Sequence, residues 1–148
     1  VRALPDSVSR HVVDDMKALL TVTSNQAAQL ANHFVSADGT GRIAIICPND
    51  LIKPVREAVR HRLSSLMAPS EYQRLIDQPE WDEQISVCGT EMVKGLEFDA
   101  VIVIEPGRIE DDAPSRLVAA SDLYVATTRP TQKLVIVRTK EDERSLNI

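Results

Sequence analysis

Glycine is scarce in this chain of 148 residues, which contains only five, at positions 39, 41, 89, 95 and 107. A phosphate-binding P-loop needs two glycines at a fixed spacing followed by Lys and then Ser or Thr, and a dinucleotide-binding fingerprint needs three spaced glycines. The sequence has neither arrangement, because Gly39 and Gly41 have no third glycine at the required distance. We therefore expect that this chain does not hold a nucleotide by itself.

The chain also lacks a basic excess and a long apolar stretch. Lys and Arg number 17 against 22 Asp and Glu, so the net charge is −5. Proteins that bind nucleic acid alone usually carry a basic excess, so any such contact here must be local or shared with another domain. No apolar run approaches the roughly 18 residues of a membrane helix, and no secretory signal is present. We expect a cytoplasmic protein, and the missing initial Met indicates a piece of a longer one.

Residues for metal binding or nucleophilic catalysis are few. Cys47 and Cys88 are the only cysteines, and each ends an apolar run. We expect both to be buried, reduced thiols rather than a disulfide. The histidines His11, His33 and His61 show no metal-ligand spacing, and no Ser lies in a Gly-x-Ser-x-Gly turn. The sequence therefore predicts no metal site and no self-contained active site.

Short apolar runs rich in β-branched residues recur along the chain without alternating with polar residues. They cover residues 18–22, 43–47, 85–88, 101–104 and 134–137. Such runs are typical of strands buried on both faces of a parallel sheet. Helical patterns lie between them, at residues 25–36, 51–67 and 114–128. Alternating strands and helices predict a three-layer α/β domain with a mostly parallel sheet. We expect it to span residues 17–140, with 1–16 as a linker or leading segment and 141–148 as a tail.

Two groups of charged residues have both a plain and a functional interpretation. The outer face of the helix at 51–67 is either a solvated surface, which we favour, or a phosphate-binding patch; its residues are Lys53, Arg56, Glu57, Arg60, His61 and Arg62. After the strand at 101–104 comes an acidic loop that includes Glu105, Glu110, Asp111 and Asp112. Its carboxylates could hold a divalent ion in principle, but an acidic surface loop is the commoner explanation.

Two segments break the local pattern. Residues 89–99 form a polar connection between buried strands, and in α/β folds the carboxyl end of a parallel strand is where ligands are contacted. Residues 123–134 form an apolar helix end that presents Arg129 before the chain re-enters the sheet. That arginine either complements the helix dipole or projects a planar guanidinium toward a phosphate outside the domain. Considered singly, each segment has an ordinary structural explanation.

Together these segments resemble superfamily 1 helicases of the UvrD/PcrA/Rep type, and within them the HelD-like group. Helicase motif V is matched by Lys94-Gly95-Leu96-Glu97-Phe98-Asp99, followed by an apolar strand. Motif VI is matched by Leu123-Tyr124-Val125-Ala126-Thr127-Thr128-Arg129, followed by Gln132-Lys133-Leu134. The order and spacing of the two motifs against the predicted strands make the pair more specific than either motif alone.

The resemblance implies a second RecA-like motor domain of an ATP-dependent DNA helicase or translocase. In that family ATP and Mg²⁺ are bound mainly by the N-terminal RecA-like domain of the same protein, which closes on the second domain. Gly95, Glu97 and Arg129 would belong to the shared ATP site, with Arg129 as the arginine finger. Thr90 and Lys94 would contact single-stranded DNA. The isolated chain is expected to be inactive.

The chain also departs from the family pattern. Glu91 stands where His usually precedes the motif V lysine, and an acid there would repel a phosphate. Pro130 follows the motif VI arginine where Ala is common, and no motif IV arginine can be placed. Since HelD-like proteins are associated with RNA polymerase, the alternative is an ATPase that remodels a protein complex rather than unwinding DNA. A third possibility is an unrelated small α/β binding domain.

Overall fold

Five parallel strands form a single sheet. The computed structural model describes residues 8–34, 41–66, 85–89, 98–112 and 130–145. The strands are β1 (Val8–Val13), β2 (Ile43–Ile46), β3 (Ile85–Cys88), β4 (Phe98–Ile104) and β5 (Pro130–Thr139). Their order across the sheet is β1-β5-β4-β2-β3, and every pairing is parallel. The predicted α/β class with a mostly parallel sheet is therefore confirmed.

Helices α1 (Met16–Phe34) and α2 (Ile52–Leu66) are the two long helices of the described residues. Two short helices, α3 (Pro106–Asp112) and α4 (Lys140–Ser145), follow β4 and β5 directly. No helix in the described ranges is long and apolar enough to cross a membrane. The predicted helix at 51–67 is confirmed as α2, whereas the one predicted at 114–128 lies outside the described residues. The acidic loop expected after β4 is instead helix α3.

The strand predicted at residues 18–22 is wrong, because these residues belong to α1. Asp15 caps this helix: its carboxylate accepts a 2.8 Å hydrogen bond from the Ala18 main-chain N–H, which satisfies one of the unpaired donors of the first turn. Leu19, Thr23 and Ala27 then recur at intervals of four residues on the buried face. The helical period over the whole segment outweighs the local preference of a short apolar run.

The leading segment expected at residues 1–16 contains β1, which pairs with β5 at the margin of the sheet. Its residues alternate between half-buried and exposed side chains. An edge strand is only partly covered, so it needs no continuous apolar run and carries a weak hydrophobic signal. Residues 8–13 are therefore a strand of the sheet, where the sequence predicts a linker or leading segment.

The sheet has two differently covered faces. The first face carries Ile43, Ile45 and Ile102, which pack with α1 and α2 in one apolar cluster. The second face carries alternate residues, and Ile109 of α3 packs there; its other members are Ala44, Ile46, Phe98, Val101, Val103, Leu134 and Ile136. Both faces of the central strands are buried, which explains why β2 and β4 are apolar without alternation.

A buried ion pair attaches α4 to the end of the sheet, in the region expected to be a tail. The Asp142 carboxylate accepts hydrogen bonds from Arg138 Nε at 3.1 Å and from the main-chain N–H groups of Gly107 and Arg108 at 3.2 and 2.9 Å. Both charged side chains of the pair are at most 4% exposed. Several hydrogen bonds compensate each buried charge, which is the condition under which an ion pair is tolerated inside a protein.

We predict that Asp142→Ala lowers the free energy of unfolding by about 3–5 kcal/mol, because it leaves Arg138 buried without its counter-charge. Urea unfolding followed by circular dichroism measures this change. Asp14→Ala is the matched control, since it breaks only the exposed pair between Asp14 and Lys140, and such pairs contribute little. Equal stabilities of the two variants would contradict a structural role for the buried pair.

Candidate functional site

The five predicted site residues, Thr90, Lys94, Gly95, Glu97 and Arg129, lie outside the described residues. Their neighbours in the sequence are described and show where the chain leaves and enters the sheet. Gly89 directly follows β3, whereas Phe98 begins β4 and Pro130 begins β5. Gly89 therefore shows where the chain leaves the sheet before residues 90–97, and Phe98 and Pro130 show where it enters the sheet after Glu97 and after Arg129.

Because all five strands are parallel, their first residues share one edge of the sheet, the amino edge, and their last residues share the carboxyl edge. Gly89 lies at the carboxyl edge, while Phe98 and Pro130 lie at the amino edge. The connection at residues 90–97 thus starts at one edge and ends at the other. The expectation that this connection contacts a ligand at the carboxyl edge falls on residues outside the described ones and stays a prediction.

The ends of the two motif segments meet at neighbouring strands. Phe98 directly follows Glu97, Pro130 directly follows Arg129, and Phe98 and Pro130 are register partners in the pairing of β4 with β5. A register shift follows between Phe98 and Ala100. The structure therefore brings the chain positions next to Glu97 and Arg129 to adjacent places on the amino edge.

Arg42, which the sequence analysis did not single out, lies on the same edge at the start of β2. Its main-chain N–H donates to the Asp99 carboxylate at 2.8 Å, and its carbonyl accepts from the Asp99 N–H at 2.9 Å. Gly41 before it has a φ of 97°, in the left-handed region that glycine adopts without a steric penalty. The Arg42 side chain is exposed. An exposed arginine at a strand start has no sequence signal, so only the pairing of β2 with β4 reveals it.

The carboxyl edge between β2 and β4 is bridged by the protein's own side chains. Helix α2 follows β2 on the first face, and α3 follows β4 with Ile109 on the second face. The crevice between two such strands is where open α/β sheets usually bind ligands. In this chain an ion pair between Asp50 and Arg108 spans it.

Glu105, at the end of β4, has a structural role. It is buried and its φ is 51°, unusual for a residue with a Cβ. Its carboxylate accepts hydrogen bonds from the main-chain N–H and the hydroxyl of Thr139. Burial raises the pKa of the Glu105 carboxyl, and the hydrogen bonds from Thr139 oppose that shift. Among the described residues, no group of three or more His, Cys, Asp or Glu side chains could hold a metal ion.

The two cysteines are neighbours but point to opposite sides of the sheet. The Cys47 N–H donates to the Cys88 carbonyl at 3.1 Å, while Cys47 packs on the first face and Cys88 on the second. Both are free thiols, as expected, although Cys88 is only half-buried. Burial raises the pKa of the Cys47 thiol to about 12, so it stays protonated and unreactive.

The charged outer face of α2 is exposed along its length. Arg56 contacts the sheet by donating from its guanidinium to the Val87 carbonyl at 3.1 Å. This bond attaches α2 to β3. Exposure of all six residues agrees with the solvated-surface interpretation, which the sequence analysis favours.

Comparison with known proteins finds similar solved structures but no matching family model or curated protein. No protein-family model and no curated protein matches this chain. Sixteen chains of solved structures are similar. One is the C-terminal domain of a possible DNA helicase from Lactobacillus plantarum WCFS1, with a TM-score of 0.61 over 96% of this chain and 82% of that one. The identity is 19%, so this likeness shows only that the two chains share an α/β fold.

We predict that Glu105 makes the protein less stable as pH rises. A carboxyl whose pKa is raised in the folded state binds its proton more tightly there, so the free energy of unfolding falls as pH rises from the ordinary value of 4.5 through the raised value. The side chain of the Glu105→Gln variant cannot titrate, so the variant lacks this pH-dependent contribution to the free energy of unfolding. Urea unfolding at several pH values between 4.5 and 7 measures the difference.

The free energy of unfolding of the native protein, minus that of Glu105→Gln, should decrease as the pH rises over this range. Glu57→Gln, on the exposed face of α2, is the control. It shows how the removal of a surface carboxyl changes the free energy of unfolding at each pH. A difference between native protein and Glu105→Gln that stays constant with pH would contradict the prediction.

Proposed function

We propose that this chain is the second RecA-like motor domain of an ATP-dependent superfamily 1 DNA helicase or translocase. The likeness of its fold to the C-terminal domain of a possible DNA helicase supports this proposal. So do the two motif segments, because Phe98 and Pro130, which directly follow Glu97 and Arg129 in the chain, begin adjacent strands. The chain has no P-loop, which agrees with an ATP site shared with another domain.

The register of β4 and β5 is the observation that carries the proposal. Partners on adjacent parallel strands lie about 5 Å apart, and Phe98 and Pro130 are such partners. Glu97 and Arg129 directly precede them in the chain, so we propose that both residues contact one nucleotide.

Each residue then has a distinct chemical task. Glu97 supplies a carboxylate that accepts hydrogen bonds on the ribose side of the nucleotide. Arg129 supplies a permanent positive charge and a planar set of donors for the charge that develops on the γ-phosphate. Gly95 lets the backbone approach the nucleotide closely. ATP and Mg²⁺, which neutralises phosphate charge, would be held mainly by the N-terminal motor domain.

The connection between β3 and β4 suits a link between nucleotide and DNA. Cys88 is level with Val103 across the sheet, so residues 89–97 must return along the strands by five residues, about 17 Å. They also pass β2, which lies between β3 and β4. In this proposal one short segment of the chain contains both Thr90 and Lys94, which would touch single-stranded DNA, and Glu97, which would touch the nucleotide.

We predict that Arg129→Ala in the full-length protein lowers the ATPase kcat by about 10³- to 10⁵-fold, the range known for arginine fingers. Steady-state ATP hydrolysis with and without single-stranded DNA measures the effect. Arg62→Ala, which removes an exposed arginine of α2, is the matched control and should retain the native rate. An unimpaired Arg129→Ala enzyme would rule out the finger assignment. A native rate that DNA does not stimulate would favour remodelling of a protein complex such as RNA polymerase.

We also predict that the isolated 148-residue chain shows no ATP turnover, because the residues that hold the phosphates and Mg²⁺ belong to the other motor domain. A sensitive phosphate-release assay with Mg²⁺-ATP tests this. Addition of the N-terminal motor domain should restore hydrolysis. Robust turnover by the chain alone would contradict a shared site.

A further inference from the structure

We propose that the ion pair between Asp50 and Arg108 is an autoinhibitory clasp at the carboxyl edge: Asp50 occupies a guanidinium that would otherwise bind a backbone phosphate of single-stranded DNA. The clasp must open before this contact with DNA forms, so it lowers the affinity of the protein for DNA. This inference rests on the proposed function, which assigns single-stranded DNA to this protein.

The pair lies at the point where the sheet changes direction. From β2 the chain continues through α2 on the first face to β3, whereas β4 and β5 lie on the other side of β2 and Ile109 of α3 packs on the second face. Helices thus leave the neighbouring carboxyl ends of β2 and β4 toward opposite faces. Open α/β sheets bind their ligands in the crevice that such a reversal leaves between two strands. Asp50 comes from the β2 side of this crevice and Arg108 from the β4 side.

Buried groups fix the main chain of Arg108. Its N–H donates to the Asp142 carboxylate at 2.9 Å and to the Glu105 carbonyl at 3.0 Å. Asp142 is itself held by Arg138, and the side chains of that pair are at most 4% exposed. The Arg108 guanidinium can therefore exchange partners while its backbone stays in place, because only side-chain torsions need to change.

The chain around Asp50 is fixed as well. Asp50 lies in a single turn of 3₁₀ helix, Asn49–Leu51, between β2 and α2. The N–H of Leu51 donates to the Pro48 carbonyl at 2.9 Å, and the Leu51 side chain is buried in the first-face core. The Asp50 carboxylate is thus kept beside the crevice as a permanent competitor for any anion that approaches Arg108.

Both members of the pair are open to solvent. The Arg108 side chain is 37% exposed and the Asp50 side chain 62%. Exposed ion pairs contribute little to stability, so a phosphate can replace the carboxylate at a small cost in free energy. A guanidinium suits either partner, because its planar set of donors forms two parallel hydrogen bonds with a carboxylate or with a phosphate.

Two further acids near Arg108 do not compete in this way. Glu105 is 2% exposed, and its carboxylate accepts hydrogen bonds from the N–H and the hydroxyl of Thr139. The Asp142 side chain is fully buried. Of these three carboxylates only that of Asp50 faces the solvent, so Asp50 is the one that a phosphate from solution displaces.

The crevice also lies near the start of the proposed DNA-binding segment. Gly89 directly follows β3 at the carboxyl edge, and Thr90 comes next in the chain. Strand β2 separates β3 from β4, so the ends of these two strands lie about 10 Å apart. A single-stranded backbone that reaches Gly89 is therefore close to Arg108.

The test is a double-mutant cycle of Asp50→Asn and Arg108→Ala in the full-length protein. Fluorescence anisotropy of a labelled oligothymidylate gives Kd at several salt concentrations. We expect Asp50→Asn to bind roughly two- to fivefold more tightly, the value of an exposed ion pair. Arg108→Ala should bind about tenfold more weakly, and the slope of log K against log salt should be smaller by about 0.7, because one phosphate contact is lost. In the Arg108→Ala background, Asp50→Asn should have no effect.

Matched controls come from the exposed face of α2. Glu57→Gln and Arg62→Ala remove one acid and one arginine there and should leave Kd unchanged. Arg108→Lys keeps the charge and should recover part of the affinity. Thermal unfolding should give the same melting temperature for all these variants and the native protein, since each changes an exposed side chain.

The outcomes separate the clasp from the proposed function. A gain in affinity from Asp50→Asn that persists without Arg108 would overturn the clasp, because general repulsion of DNA by Asp50 would explain it. Native affinity in either single variant would also overturn the clasp, and a strong loss of kcat in Arg129→Ala would then leave the proposed function intact. A native protein that binds no single-stranded DNA would contradict the proposed function itself, and the clasp with it.

Discussion

The parallel pairing of β4 with β5 is the constraint on which the rest of this structure depends. Both strands are buried on both faces, with Ile102 and Val135 on one side and Val101 and Leu134 on the other. A slip of one residue would move every side chain of a strand to the opposite face, so the register is strongly specified. The same register places Phe98 beside Pro130. Packing of the core therefore also determines where the two motif segments end.

The two edges of the sheet have different roles. At the carboxyl edge, Glu105 is bonded to Thr139, and the Arg138–Asp142 pair binds the start of α3. These contacts use the polar groups that another α/β protein would offer to a ligand there. At the amino edge the described contacts are between main chain and side chain, where Arg42 is bonded to Asp99.

Sequence patterns predicted the strands that are buried on both faces and the amphipathic helix α2. They failed for β1, which is only partly buried, and for residues 18–22, whose helical period shows only over the whole of α1. Strands β2, β3 and β4 and helix α2 were predictable because continuous β-branched runs and an amphipathic period each have one simple explanation. The run at 18–22 was misassigned because five apolar residues suit a buried helix as well as a strand. Strand β1 was missed because an edge strand alternates with polar residues. Arg42 was missed because its only distinction is the neighbour that it acquires on folding.

The sequence by itself determined the class of the domain, the absence of a P-loop and the presence of two segments that resemble helicase motifs, since these depend on residue types and short spacings. Only the tertiary structure decided that Gly89 and Phe98 lie at opposite edges of the sheet, that Phe98 and Pro130 are register partners, and that Arg42 is bonded to Asp99. These facts depend on strand order. Strand order follows from which faces can be buried together, and no local pattern of residues records it.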